Sequence, residues 1–139
     1  MTDKGPNQKR FDEIRQKLDE IPYVQFLGIK LEQIASGVAT LSLEIAERLK
    51  RNNGIAHGGA IASLIDTATA FATLSVLKPD QRSTTVDLTI HFLRPLGGGK
   101  ATAIAEVVRA GKRIVVVSAK VFDGGENLAA TAVSTYLVD

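Results

Sequence analysis

Arg51 to Phe71 reads RNNGIAHGGAIASLIDTATAF, a glycine-rich turn with a histidine that opens into a nearly uncharged run broken by one aspartate. From Gly54 to Leu77, Asp66 is the only formally charged side chain, and carboxylates are almost never fully buried without a partner or a task. A carboxylate in such a place can act as a general base toward water or as a nucleophile toward a carbonyl. Ahead of it, His57-Gly58-Gly59 fits the start of a helix, whose first backbone N–H groups have no intrahelical partner and carry the positive end of the macrodipole. Glycines there leave the backbone open to a carbonyl oxygen. The two features match two general needs of chemistry at a carbonyl, a stabilised oxyanion and a directed nucleophile.

A helix beginning near Gly58 surrounds Asp66 with small residues, Ala62, Ser63, Thr69 and Ala70 one turn away, and Gly59 and Thr73 farther along the stripe. Ile61, Leu64, Ile65, Ala68, Phe71 and Ala72 make the opposite stripe, which is predicted to be core. The carboxylate is therefore expected on the face that a substrate or another chain can approach. From Gly58 to Asp66 the helix rises ~12 Å, and from His57 the side chain turns by ~180°. If both ends act on one reacting group, a single chain cannot close the site, and Asp66 must meet the His57-Gly58 turn of a second subunit. Such a dimer is isologous, with its sites in pairs.

The remaining elements read as short helix, two strands, this long helix, then four strands. Phe11, Ile14, Arg15 and Leu18 sit at helical spacing within Asn7 to Glu20, and Pro22 closes that helix. Leu27 to Ile34 and Val38 to Ile45 alternate around Ser36-Gly37 as a hairpin. Thr84 to Leu93, Lys100 to Arg109, Ile114 to Phe122 and Leu128 to Val138 follow, separated by glycine-containing turns that force antiparallel neighbours. Together they predict an α+β fold, one antiparallel sheet wrapped around one apolar helix.

The 139 residues form one expected domain, 1–139, with residues 1–22 as a helical extension. With no cysteine there is no thiolate nucleophile and no disulfide framework, and two histidines make a histidine-rich metal site unexpected. The charged N-terminus lacks the apolar core of a signal peptide, which points to the cytoplasm. Gly54 to Leu77 is long enough to span a bilayer, but His57, Asp66 and its hydroxyl residues fit hydrocarbon poorly. A net charge of +2 and 5% aromatic residues argue against a nucleic-acid partner.

GxxHGG at Gly54 to Gly59, an acid nine residues after the histidine, and a later strand ending in FLRP together resemble the hotdog-fold thioesterases of the phenylacetate-pathway (PaaI-like) type. The resemblance covers roughly residues 25 to 138. It implies an acyl-coenzyme A thioesterase without a separate cofactor, assembled as a dimer or dimer of dimers with two equivalent sites at the subunit interface. It also implies that Asp66, Gly58 and His57 act at the thioester, and that a serine or threonine at the start of the following strand orients the attacking water. By alignment this is Thr85. Strand alternation with Val86, Leu88, Ile90 and Phe92 as the core face instead puts Thr84 on the helix side, so both are candidates. His57 can donate to the carbonyl region or hold the turn through a backbone hydrogen bond. His91 alternates with Asp87 and Thr89 and reads as a surface residue.

The family pattern carries an asparagine six residues before the histidine, where this sequence has Arg51; Asn52 and Asn53 are the neighbouring candidates for its contact. The coenzyme A phosphates call for cations at strand ends and turns, and Arg94, Arg109, Lys112 and Arg113 occupy such places, with Gly59 beside the acyl end. The same fold hosts enoyl-thioester hydratases and dehydratases, and Arg51 leaves room for a non-catalytic acyl-coenzyme A binder.

Overall fold

The computed structural model describes residues 6–139; Met1 to Gly5, the start of the expected extension, lie outside them. The helices α1 (Pro6–Asp19) and α2 (Pro22–Leu27) come first, then β1 (Lys30–Ala35) and β2 (Val38–Glu44). The long helix α3 (Gly58–Leu74) follows, and then β3 (Ser83–Phe92), β4 (Lys100–Ala110), β5 (Ile114–Phe122) and β6 (Leu128–Val138).

The strand expected over Leu27 to Ile34 begins only at Lys30, because Pro22 starts a second helix as well as ending the first. Proline is suited to a first helical turn, where its φ is preset and its missing N–H costs no intrahelical bond. α2 buries Val24 and Leu27 and stops at Gly28, whose φ of 82° and N–H bond to Val24 O form a left-handed cap. α1 matches the predicted helix to within one residue at each end and buries Ile14 and Leu18.

All six strands form one antiparallel sheet in the order β1-β2-β4-β5-β6-β3. The chain leaves the sheet after β2, passes through α3 and returns at the far edge as β3, so that β3 bonds β6 on one side only. The sheet curls around α3 in the hotdog arrangement. Ala101, Ala103 and Ala105 of β4 make a fully buried floor of small side chains between Leu41 and Leu43 of β2 and Val117 and Val121 of β5. Ile61, Leu64, Ile65, Ala68, Phe71 and Ala72 of α3 fill the space above that floor, as close packing requires.

Two expectations about faces change. Thr69 and Thr73 are fully buried against the sheet, so the open stripe of α3 is Ala62, Ser63, Asp66, Thr67 and Ala70. On β3, Val86 and Phe92 are not core: they are 60% and 57% exposed. The pairing explains the first of these, since Thr85 lies opposite Tyr136 and Asp87 opposite Thr135, which leaves Val86 as an extra residue in a β-bulge. The bulge shifts the alternation by one, and Thr85 instead of Thr84 turns toward the helix.

The packing of α3 predicts unequal costs along its circumference. Leu64→Ala should destabilise the protein by ~2–5 kcal/mol, while Ala62→Ser on the open stripe should change stability by under ~0.5 kcal/mol. Urea unfolding of both variants measures this, and equal costs would contradict the assignment of faces.

Candidate active site

The start of α3 is built by His57 as its N-cap. The Nδ1 atom accepts a 2.8 Å hydrogen bond from the Gly59 N–H, which places the proton of a neutral ring on Nε2 and leaves that atom as an exposed donor. Glycine is required next to it: a Cβ on Gly59 would stand 2.9 Å from Nδ1. The N–H groups of Ala60 and Ile61 reach the His57 carbonyl at 3.0 and 3.4 Å. Among the described residues, the Gly58 N–H alone of this first turn has no hydrogen-bond partner. It is the donor an oxyanion would find.

Gly58 forms part of a cavity of about 430 Å3. Ile55, Ile61, Phe92, Leu93 and Leu96 give it apolar walls, and Arg51 and Arg94 are its charged lining residues. The ring of Phe92 covers the Cα side of Gly58, 3.5 Å from where a Cβ would stand, so the glycine is not bare as expected. Asn52 and Asn53 sit in the exposed turn before Gly54 and do not line the cavity; Arg51 does. That turn is closed by the Arg51 N–H bond to Ile55 O at 2.8 Å and by a φ of 73° at Gly54.

Asp66 lies outside this cavity, two turns along the helix, half-buried on the open stripe. Its Oδ1 accepts from the Thr85 hydroxyl at 3.2 Å. This is the threonine that alignment named; Thr84, which alternation favoured, pairs with Leu137 on the other face because of the bulge. The Tyr136 hydroxyl also lies 3.4 Å from Oδ1 and 3.1 Å from the Asp66 main-chain oxygen, with one proton to give to either. Burial pushes the Tyr136 phenol's pKa up, which keeps it a proton donor.

Tyr136 is the site residue that the sequence reading missed. Its signal was available: on β6 the alternation turns it inward among Ala130, Ala132, Ser134 and Val138, where a phenol needs a partner. His91 is exposed on β3, as expected. Of the proposed phosphate contacts, Arg94 is at the cavity, 3.7 Å from Asp123. Arg109, Lys112 and Arg113 are exposed around the β4–β5 turn, at the opposite end of the sheet. Within one chain the structure thus brings together His57, Gly58, Gly59, Arg51 and Arg94 as one group, and Asp66 and Thr85 as another. Among the described residues no helix is long and apolar enough to cross a membrane.

A model of the thioesterase superfamily matches residues 53–130, which include the whole of α3 and the His57 turn. A Saccharolobus solfataricus protein provisionally named an esterase is 35% identical over 91% of this chain and 83% of its own length. The medium/long-chain acyl-CoA thioesterase YigI of Salmonella typhimurium is 30% identical over 85% of this chain and 86% of its own. Among solved structures, the Escherichia coli PaaI protein from the phenylacetic acid degradation operon superposes with a TM-score of 0.88 at 24% identity, covering 96% of this chain and 95% of that one.

The bulge predicts that the two neighbouring threonines are not equivalent. With a thioester substrate, Thr85→Val should lower kcat about tenfold, the loss of one hydrogen bond to a charged group, and Thr84→Val should leave it within twofold. Steady-state rates of the two variants decide, and the reverse ranking would mean that the bulge does not form.

Proposed function

The chain belongs to the thioesterase superfamily, and from that premise we propose that it hydrolyses the thioester of an aryl- or fatty acyl-coenzyme A with the Asp66 carboxylate as its general base or nucleophile. The observation that carries this is the half-buried Asp66 carboxylate on the open stripe of α3, bonded by Thr85, together with an unpaired Gly58 N–H at the helix start. The thioester carbonyl takes the Gly58 N–H and the exposed His57 Nε2–H as donors, and the positive end of α3 favours the charge that develops there. Asp66, steadied by Thr85, directs water or attacks the carbonyl itself. The C–S bond then breaks and coenzyme A leaves as the thiol. Water is the only co-reactant, and no cofactor enters. The name of the YigI relative supports a medium or long acyl chain.

The site is shared between two copies. The ~12 Å rise between Gly58 and Asp66 separates donor and acid within one chain. The surface that a second copy would cover is the β3 edge, where Val86, Phe92 and Leu93 are 60%, 57% and 56% exposed and main-chain groups are open on one side. Pairing two such edges satisfies those groups and buries the apolar side chains. A shared site can draw cations from both ends of the sheet, Arg94 from one copy and Arg109, Lys112 and Arg113 from the other. A cytoplasmic setting, where acyl-coenzyme A is available, belongs to the same reading.

Asp66→Asn should reduce hydrolysis ~100-fold or more without changing assembly, measured by thiol release and size-exclusion chromatography. Mixing it with Gly58→Val subunits should restore activity, because one of the two sites in each hybrid then has both intact halves. If labelled subunits exchange and the mixture stays as inactive as its parents, the shared site is wrong.

A further inference from the structure

We propose that Tyr136 is a positioning residue for the reaction: its hydroxyl, with that of Thr85, holds Oδ1 of Asp66 and so presents Oδ2 as the reacting oxygen. The inference rests on the reading of Asp66 as the catalytic carboxylate and adds which of its two oxygens acts, and what makes the choice.

Tyr136 comes from β6 and is 1% exposed, among the largest fully buried side chains of the protein. Its hydroxyl lies 2.7 Å from Thr69 Oγ1, 3.1 Å from the Asp66 carbonyl oxygen and 3.4 Å from Asp66 Oδ1. Thr69 Oγ1 in turn reaches the carbonyl oxygens of Ile65 and Asp66 at 3.0 and 3.1 Å. The two hydroxyls have one proton each to distribute among these acceptors. In one arrangement Thr69 donates to its own helix and Tyr136 donates to Thr69 or to the Asp66 carbonyl oxygen, and the carboxylate receives nothing from either. In the other, Thr69 donates to the Tyr136 oxygen and Tyr136 donates to Oδ1. The second ends on a charge, and bonds to an ionised acceptor are about twice as strong as neutral ones, so the ionised carboxylate selects it.

Thr85, from β3 at the sheet edge, addresses the same oxygen at 3.2 Å. Oδ1 is therefore approached from two strands, while among the described residues no group hydrogen-bonds Oδ2. Both contacts are long for O–H···O bonds, as catalytic contacts often are before substrate binds. A structural account of Tyr136 explains its bond to Thr69 but not why the hydroxyl also faces the one carboxylate of the helix.

Tyr136→Phe removes only the hydroxyl. It should lower kcat about tenfold with KM within twofold. Thr69→Val, which ends the relay, should lower kcat by a smaller factor, and Thr69→Ser should restore it. In an Asp66→Asn background, Tyr136→Phe should have no further effect on the residual rate. Wild-type kcat in Tyr136→Phe, with Asp66→Asn inactive, overturns the positioning role and leaves the acid's role intact. Near-wild-type activity of Asp66→Asn itself overturns the reading of the acid on which the inference rests. If Tyr136→Phe does not fold, Thr69→Val decides, and an unchanged kcat there overturns the proposal. Equal losses on both Asp66 backgrounds, with lowered thermal stability, would assign Tyr136 a purely structural role.

Discussion

α3 rests on alanines. Ala101, Ala103 and Ala105 face it from β4 where most sheets would carry valine or isoleucine, and the small floor lets the helix settle close to the sheet with Ile61, Leu64, Ile65 and Phe71 filling the flanks. The two buried hydroxyls of this helix do not oppose its burial, because Thr73 bonds the carbonyl one turn back and Thr69 pairs with Tyr136 within reach of its own helix carbonyls, which satisfies them away from water. What the sheet does not cover is one narrow stripe and the N-terminal end. Asp66 occupies the stripe and Gly58 the end, so the packing itself decides where polar chemistry can occur.

The second determinant is a local irregularity. β3 is an edge strand, and Val86 bulges out of its pairing with β6. Without the bulge, strict alternation from Leu88 would send Thr85 to the outer face and Thr84 to the helix. With it, Leu88 and Ile90 keep their inward positions while Thr85 faces Asp66. One extra residue thus turns the short segment from Ser83 to Thr85 over and aims the Thr85 hydroxyl at Asp66, while the strand from Asp87 onward keeps its own register, the use to which bulges near sites are often put.

How much of this could be read in the sequence follows from the range of each interaction. The six strands, α1 and α3 were legible because each is written in its own residues, as period-two or helical spacing bounded by glycine or proline. α2 was not, since Pro22 terminates one helix and begins another with the same fixed φ. The bulge was invisible for a different reason: Val86 suits either face of a strand, and only the pairing with β6, some fifty residues later, assigns it. Tyr136 was overlooked because its meaning depends on Asp66 and Thr69 across the fold. The glycine pair and the aspartate invite a chemical reading because both are costly choices for a plain buried helix. The His57 ring had two readings, and the Nδ1 bond to Gly59 shows that it holds the turn without giving up its outer nitrogen.

The separation along one helix of the proposed acid, Asp66, and the proposed oxyanion donor, the Gly58 N–H, has a physical logic of its own. The strongest caps for a helix start are carboxylates and hydroxyls, and an aspartate at position 57 would saturate the first-turn N–H groups with negative charge. A second anion, the developing oxyanion, would then be repelled from the place where it needs stabilisation. A histidine cap avoids this: it accepts from the Gly59 N–H alone through a neutral nitrogen and leaves the Gly58 N–H unpaired. Placing Asp66 ~12 Å up the helix likewise keeps its charge from neutralising that donor inside one chain, since attraction between charge and helix end fades beyond the first turn. Under the proposed mechanism such an arrangement unites acid and donor only when a thioester lies between two chains, and the ~12 Å rise would then be what ties the chemistry to assembly.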